Sequence, residues 1–550
     1  MDIYREVEKI TKEMVAIPSV NGTPGEKDIG VYIENYLRSI PYFAEHPDLV
    51  IVKPLKEDAL GRRNVFALLK GTKGTSNRTI ILHGHTDTVG VEDFGILKEY
   101  AFDPDRLLQE LPKVPLPEDV RKDLESGDYM FGRGCCDMQS GDAVYMAVAR
   151  DLSTHLEDLD GNLLLSFNPV EENMHTGMIE AVDFLIEQRE KNGLNYLMAI
   201  NNDYTCPLYV GDTHQYIYTG TVGKLLPCFY ILGKNSHVGQ CFEGFDASMV
   251  AAELVKQINL NTLFCDAYDN EYSLPPSVLK MTDLKDFYNV QTAQEAFVYF
   301  NYFVHNASVE EIVDKLTTSA KTALIKVEEI IETESKNYYA LAGMHYERLS
   351  YQPMVYTYEQ VYAMAKANYE GDIDAMLDAY TESLQNSGTD SRDIAMLVTK
   401  KVTSYAKVKS PAIVLFFAPP YCPHNTLKYE CPEENACLSE LTELITEFGE
   451  EENLDYKILH FFPSLSDSSY LKVDDPPASR KLLMENFVKK DRLYPVDFDK
   501  IADLNVFAIN FGTYGKDAHQ WTERVYKPYT FGTLPTVSYT HLTLPTILRV

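Results

Sequence analysis

Ile80-Ile-Leu-His-Gly-His-Thr-Asp87 is an apolar, β-branched run that ends in a His-x-Asp pair. A strand closing on His85 and Asp87 sends both side chains to one face, because residues two apart in a strand share it. His85 is then placed to take a metal ion while the Asp87 carboxylate holds its other ring nitrogen. That relay fixes the imidazole tautomer and makes it a better ligand. Alone, the pair is common by chance, and a strand-end loop with satisfied polar groups is the plainer reading. The rest of the chain decides between them.

Asp137 lies in Gly132-Arg-Gly-Cys-Cys-Asp-Met-Gln-Ser-Gly141, a glycine-punctuated loop ahead of a helical pattern, where backbone can pack close to an ion. Glu171 and Glu172 follow the apolar run Leu163-Leu-Leu-Ser-Phe167, and Asp203 follows Tyr196-Leu-Met-Ala-Ile200. His519, in Gly512-Thr-Tyr-Gly-Lys-Asp-Ala-His519, follows Val506-Phe-Ala-Ile-Asn510. Each of these comes at or just beyond the end of an expected buried strand, the edge where open α/β sheets keep their ligand sites. Together they read as a two-metal hydrolase site. Neighbouring glutamates project differently and cannot share one ion comfortably, so Glu172 is read as a ligand and Glu171 as a base that takes a proton from a metal-activated water. Helix capping by the same pair is the alternative.

The strands belong to a βα alternation that runs from residue 1 to 212, hence an α/β catalytic domain with a mostly parallel sheet flanked by helices. From 213 to 340 the texture changes to strands such as Tyr216-Ile-Tyr218, Cys228-Phe-Tyr-Ile-Leu232 and Phe297–Val304, with helices between them. This is the pattern of an inserted α+β lid domain, whose last helix opens with Ser308 and Glu311 in capping-box spacing. Residues 341–407 read as extra helices, and the strands Ala412–Phe417 and Ile458–Phe462 are expected to return the chain to the catalytic sheet over 408–536. His424 and Asp467 follow strands there and face either substrate or solvent.

Composition narrows the function classes. The 550 residues suffice for two domains and a substantial core. Fifty basic against 82 acidic side chains give a formal charge of −32, which repels nucleic acid and anionic membrane and argues against both as partners. No apolar stretch approaches the roughly 20 residues a bilayer span needs. Ile3, Val7, Ile10 and Met14 at helical spacing make the N-terminus an amphipathic helix and not a signal peptide. Nine cysteines without a paired framework point to a reducing cytoplasm.

These motifs resemble the family of co-catalytic zinc hydrolases that holds the aminoacylases, carboxypeptidase G and succinyl-diaminopimelate desuccinylase, over most of the chain. The resemblance implies one ion on His85 and Asp203 and another on Glu172 and His519, with Asp137 bridging and Glu171 as base. Two zinc ions are implied, and manganese or cobalt suit the same ligands. It also implies a lid that pairs two subunits into a homodimer and lends a histidine to the oxyanion. His237, in Gly233-Lys-Asn-Ser-His-Val-Gly239, matches that histidine, with a plain turn residue as the alternative. Where many relatives carry an arginine that grips a substrate carboxylate, this chain reads Phe300-Asn-Tyr-Phe303, which puts that mode of recognition in doubt.

Gly84-His-Thr-Asp-Thr-Val89, Ala418-Pro-Pro-Tyr-Cys-Pro-His424, Ser466-Asp-Ser-Ser-Tyr470 and Gly515-Lys-Asp-Ala-His519 are most similar to the arginine-utilisation branch of that family. The expected function is hydrolysis of an amide bond in a small peptide or N-acyl amino acid. The competing expectation is a catalytically idle binding or regulatory relative, which should have lost a ligand or the base. Val537-Ser-Tyr-Thr-His-Leu-Thr-Leu-Pro-Thr546 resembles a translated sequencing-library adapter, so residues 537–550 are expected to be non-native and His541 carries no role.

Overall fold

The computed structural model describes residues 2–428 and 431–543, the last five as backbone only. The chain divides into two compact units. The first comprises Met1–Thr221, Asn425–Val473 and Asp499–Val550, and the second Val222–His424 and Asp474–Phe498.

The first unit is built on an eight-stranded sheet. Its order is Val50–Pro54, Arg63–Lys70, Asn162–Asn168, Arg78–His85, Asn195–Asn201, Ala508–Asn510, Gln215–Tyr218 and Tyr456–Leu459. Four of the seven pairings are parallel, including the three that join the central strands. Asn162–Asn168 is buried along its whole length, as a strand covered on both faces must be. The helix Ile3–Val15 buries Val7, Ile10 and Met14 and packs against the helix Gln139–Leu152. Its apolar stripe at i, i+3 and i+7 spacing is why it forms and which face it buries. The helix Leu534–Thr543 adds buried Leu534 and Val537 to the same core. Residues 544–550 of the suspected tail, and the side chain of His541, lie outside the described residues.

The second unit carries the strand order Ser277–Asp283, Glu295–Val304, Pro227–Leu232, Ala412–Phe417 and Met354–Thr357. The helices Ala247–Ile258 and Val309–Leu341 pack together beside it, and Ser308 and Glu311 form the reciprocal capping box at the start of the longer one. Cys228, Tyr230, Phe297 and Phe416 from the strands share a core with Val361, Leu377 and Val398 from helices within 358–405. The extra helices therefore extend this unit.

Three expectations about chain organisation need correction. Gln215–Tyr218 belongs to the sheet of the first unit, between Ala508–Asn510 and Tyr456–Leu459, and not to the lid. Ala412–Phe417 pairs with Pro227–Leu232 and Met354–Thr357 in the second unit, and not with the catalytic sheet. Residues 474–498 also join the second unit instead of a continuous 408–536 segment. For the two strands the reason is the same: an apolar run specifies a buried strand, but its partners are chosen by contacts far away in sequence. Residues 474–498 join because the helix Pro477–Asn486 packs against Val309–Leu341 and Tyr358–Asn368. Among the described residues no helix is long and apolar enough to cross a membrane.

Candidate metal centre

The parallel register aligns the strand ends in the first unit. His85 pairs opposite Asn168, and Asn201 lies opposite both His83 and Asn510. The residues that follow those positions therefore gather at one edge of the sheet, where His85, Glu171, Glu172, Asp203 and His519 meet Asp137 from the loop before the helix Gln139–Leu152. Val170 takes a left-handed conformation at φ 74°, which is unfavourable for a β-branched side chain. That bend turns the chain sharply out of the strand and presents Glu171 and Glu172 together.

Asp137 is at the centre. One of its oxygens lies 3.0 Å from His85 Nε2 and the other 3.1 Å from His519 Nε2. His519 Nε2 is also 2.8 Å from Glu172 Oε1. Three sets of ligand atoms each fall within 4.8 Å of one another: His85 with Asp137 and Asp203, His85 with Glu171 and Glu172, and Asp137 with Glu172 and His519. Asp137 thus offers one oxygen to each of two neighbouring sets.

The electrostatics follow from burying many carboxylates beside two imidazoles. Burial pushes Glu171 and Asp203 well above the usual carboxylate range and raises Glu172. Burial opposes ionisation of Asp137 too, but hydrogen bonds from His519 and His85 overcome it and hold that carboxyl low. The same contacts act in reverse on the imidazoles. Burial disfavours their charge, yet Asp137 and its neighbours raise His85 well above its ordinary value and push His519 up to about 11. A site with convergent carboxylate oxygens and imidazole nitrogens, and one carboxylate shared between two sets, fits a pair of borderline divalent ions.

Asp87 is corrected in its role. His85 Nδ1 is 3.1 Å from the Asp87 backbone carbonyl and 3.9 Å from the nearer carboxylate oxygen, so the carbonyl is its hydrogen-bond partner. The Asp87 carboxylate instead accepts the backbone N–H groups of Glu171 and Glu172, at 2.9 and 3.1 Å, and the Asn21 amide at 2.9 Å. Strand-end spacing places a residue but does not separate its carbonyl from its carboxylate. Asp87 therefore anchors the turn that carries both glutamates. Asp87→Asn, which places an amide against one of those N–H groups, is expected to weaken metal affinity and turnover by roughly 10–100-fold, a typical loss for outer ligand partners. Metal titration of the variant checks this, and unchanged affinity and rate would count against the anchoring role.

Further supports had no local signal in the sequence. Glu523, fully buried, accepts the backbone N–H groups of Cys136 and Asp137 at 3.1 and 3.3 Å and pairs with buried Arg133 at 2.6 Å. Arg133 also binds Asp93. This network fixes the loop that carries Asp137, across 386 residues of sequence. The His175 ring is buried at the start of the helix Thr176–Asn192 and meets Asp467, a residue whose sequence context left its orientation open.

His237 belongs to the second unit. It is exposed at the start of the turn Val238–Glu243, and its Nδ1 accepts the Gly239 N–H at 3.0 Å.

The sequence model of Peptidase family M20/M25/M40 matches residues 81–450. Protein RocB of Bacillus subtilis (strain 168) is 36% identical over 551 residues, covering 97% of this chain and 94% of RocB. Protein YqjN of the same organism is 32% identical, covering 96% of this chain and 94% of YqjN. Among solved structures, aminopeptidase PepT from Bacillus cereus superposes with a TM-score of 0.52 at 12% identity, over 98% of each chain, a likeness of fold.

Proposed function

Because the chain belongs to peptidase family M20/M25/M40 and so to the metal-dependent hydrolases, we propose that it uses two zinc ions to cleave an amide bond in a small peptide or N-acyl amino acid. The observation that carries this reading is the position of Asp137, one oxygen toward His85 and the other toward His519, with Glu171 beside them. His85 and Asp203 would hold one ion and Glu172 and His519 the other, with Asp137 shared. Bound there, divalent ions polarise a carbonyl and lower the pKa of water.

The side chains supply the rest. Glu171 sits in the ligand cluster without being needed as a ligand, within reach of His85 and Glu172 donor atoms. It is the group placed to take a proton from the attacking water and return it to the leaving nitrogen. His237 is assigned donation of a hydrogen bond to the oxyanion as the carbonyl becomes tetrahedral, from a lid that pairs two subunits. The similarity to RocB, together with the segments at Gly84–Val89 and Gly515–His519, supports a role in arginine or other amino-acid use, and nine cysteines without a paired framework suit a reducing cytoplasm. Retention of every ligand and of the base argues against an idle relative.

The test uses the full chain. Elemental analysis is expected to find two zinc ions per chain, and a panel of dipeptides and N-acyl amino acids, arginine derivatives included, is expected to release free amino acid. A chain that binds no metal, or a fully loaded one that releases nothing from the panel, would exclude the proposed activity.

A further inference from the structure

The described residues hold a second buried acid–base cluster directly behind the proposed base. His175 is fully buried, and its Nδ1 lies 3.0 Å from Asp467 Oδ1 and 3.9 Å from Glu171 Oε1. Asp467 is itself 3% exposed and Glu171 6%. One ring nitrogen therefore sits between two buried carboxylates, hydrogen-bonded to one and facing the other.

We propose that His175 and Asp467 are positioning residues that fix the carboxylate of Glu171 in its working orientation. The inference rests on the reading of Glu171 as the base and extends it.

Three structural features carry it. His175 stands at the N-cap of the helix Thr176–Asn192 in a left-handed conformation, φ 53°, yet its side chain makes no capping hydrogen bond. Asparagine would suit both the backbone and the cap better, so the imidazole is placed for another contact. Its backbone is pinned independently, since the His175 N–H donates to the Val170 carbonyl at 2.8 Å across the bend that presents Glu171. Asp467 is held by the same scaffold as the metal ligands: its neighbour Ser468 meets His83 Nε2 at 3.0 Å, on the strand that ends in His85. With Nδ1–H directed at Asp467, the positive edge of the ring faces Glu171 Oε1 and selects one rotamer of that carboxylate. A rotamer-locked group loses little entropy when it meets the reacting water, which is where positioning gains rate.

The experiment compares His175→Phe, His175→Asn and Asp467→Asn in the full zinc-loaded chain, with the best substrate of the dipeptide and N-acyl amino acid panel. His175→Phe keeps the ring's bulk and loses Nδ1. It is expected to lower kcat by roughly 10–100-fold, the range for supporting partners of a reactive group. KM should stay within about twofold, with two zinc ions per chain and the fold intact at the assay temperature. His175→Asn keeps a donor near the Nδ1 position and tolerates the left-handed backbone, so it should recover most of that loss. Asp467→Asn should reduce kcat in the same direction, without adding fully to His175→Phe in the double variant. Equal kcat for His175→Phe and the parent, or a loss that tracks zinc content or the folded fraction at the assay temperature, would overturn the proposal. Should His175→Phe fail to fold, Asp467→Asn with full zinc and parental kcat overturns it equally. If Glu171→Gln is itself active, the reading beneath it fails instead, so the two failures are distinct.

Discussion

Glu171→Gln will reduce kcat by roughly 10²–10⁴-fold, the range a positioned general base contributes, while the protein keeps both metal ions and its fold. Glutamine has the shape of glutamate but cannot accept a proton at neutral pH, so the substitution removes the chemistry and leaves the volume. The backbone N–H of residue 171 still donates to Asp87 Oδ1, and the neighbouring Glu172 still faces His519. Nothing that places the ligands is therefore disturbed. The paired measurements are zinc per chain by elemental analysis and kcat on the best panel substrate. A zinc-loaded Glu171→Gln enzyme that turns over within tenfold of the parent removes Glu171 from the mechanism. A variant that loses its zinc would mean that Glu171 is a ligand, an alternative its place in one of the ligand sets makes specific.

The candidate ligand positions were legible because sheet chemistry writes them locally. The runs ending near His85, Phe167, Ile200 and Asn510 announce buried strands, and side chains just past parallel strand ends converge on one edge. A reader of the sequence can therefore gather His85, Glu171, Glu172, Asp203 and His519 without knowing how the strands are ordered. Pairing is a different matter. Gln215–Tyr218 and Ala412–Phe417 are equally good strands for either unit, and only the neighbours they meet decide which sheet they enter.

Outer supports were the least legible. Glu523 is one acidic residue in a loop after His519, and its contact with the Asp137 N–H exists only once the strand Arg524–Tyr526 has paired with Tyr129–Phe131. Asp87 shows a subtler limit. Its spacing from His85 correctly places it beside the imidazole, but its side chain turns to the Glu171 and Glu172 amides and leaves the ring to its carbonyl. Spacing reports proximity, whereas the choice of hydrogen-bond partner depends on how every nearby donor is satisfied.

Removing the metal with a chelator is expected to abolish turnover and to lower the melting temperature by an amount that grows with pH. At a free ion concentration about 1,000 times Kd, ligation stabilises the folded chain by about 4 kcal/mol. The pH dependence follows from which groups hold protons in the stripped protein. Burial raises Glu171 and Asp203 well above their ordinary values. A carboxyl whose folded pKa lies above its unfolded one loses stability as pH climbs from its unfolded value, near 4, through its folded one. His519 moves in the same sense. Held up to about 11 by Asp137 and Glu172, against the effect of burial, its charged form contributes stability fully below pH 6.5 and loses it between there and about 11. His519 therefore makes the stripped protein less stable as pH rises from 6 to 8.5, and the two carboxyls act in the same direction above their unfolded values. Ligation by Asp203 and His519 needs both side chains deprotonated, so binding expels protons and strengthens over that interval. Melting curves of stripped and zinc-loaded protein at pH 6, 7 and 8.5 should accordingly diverge, with the gap widest at pH 8.5. Added zinc should restore both the melting temperature and turnover. A gap that is constant or narrows with pH would mean that zinc displaces no protons from these side chains, and would count against His519 and Asp203 as its ligands.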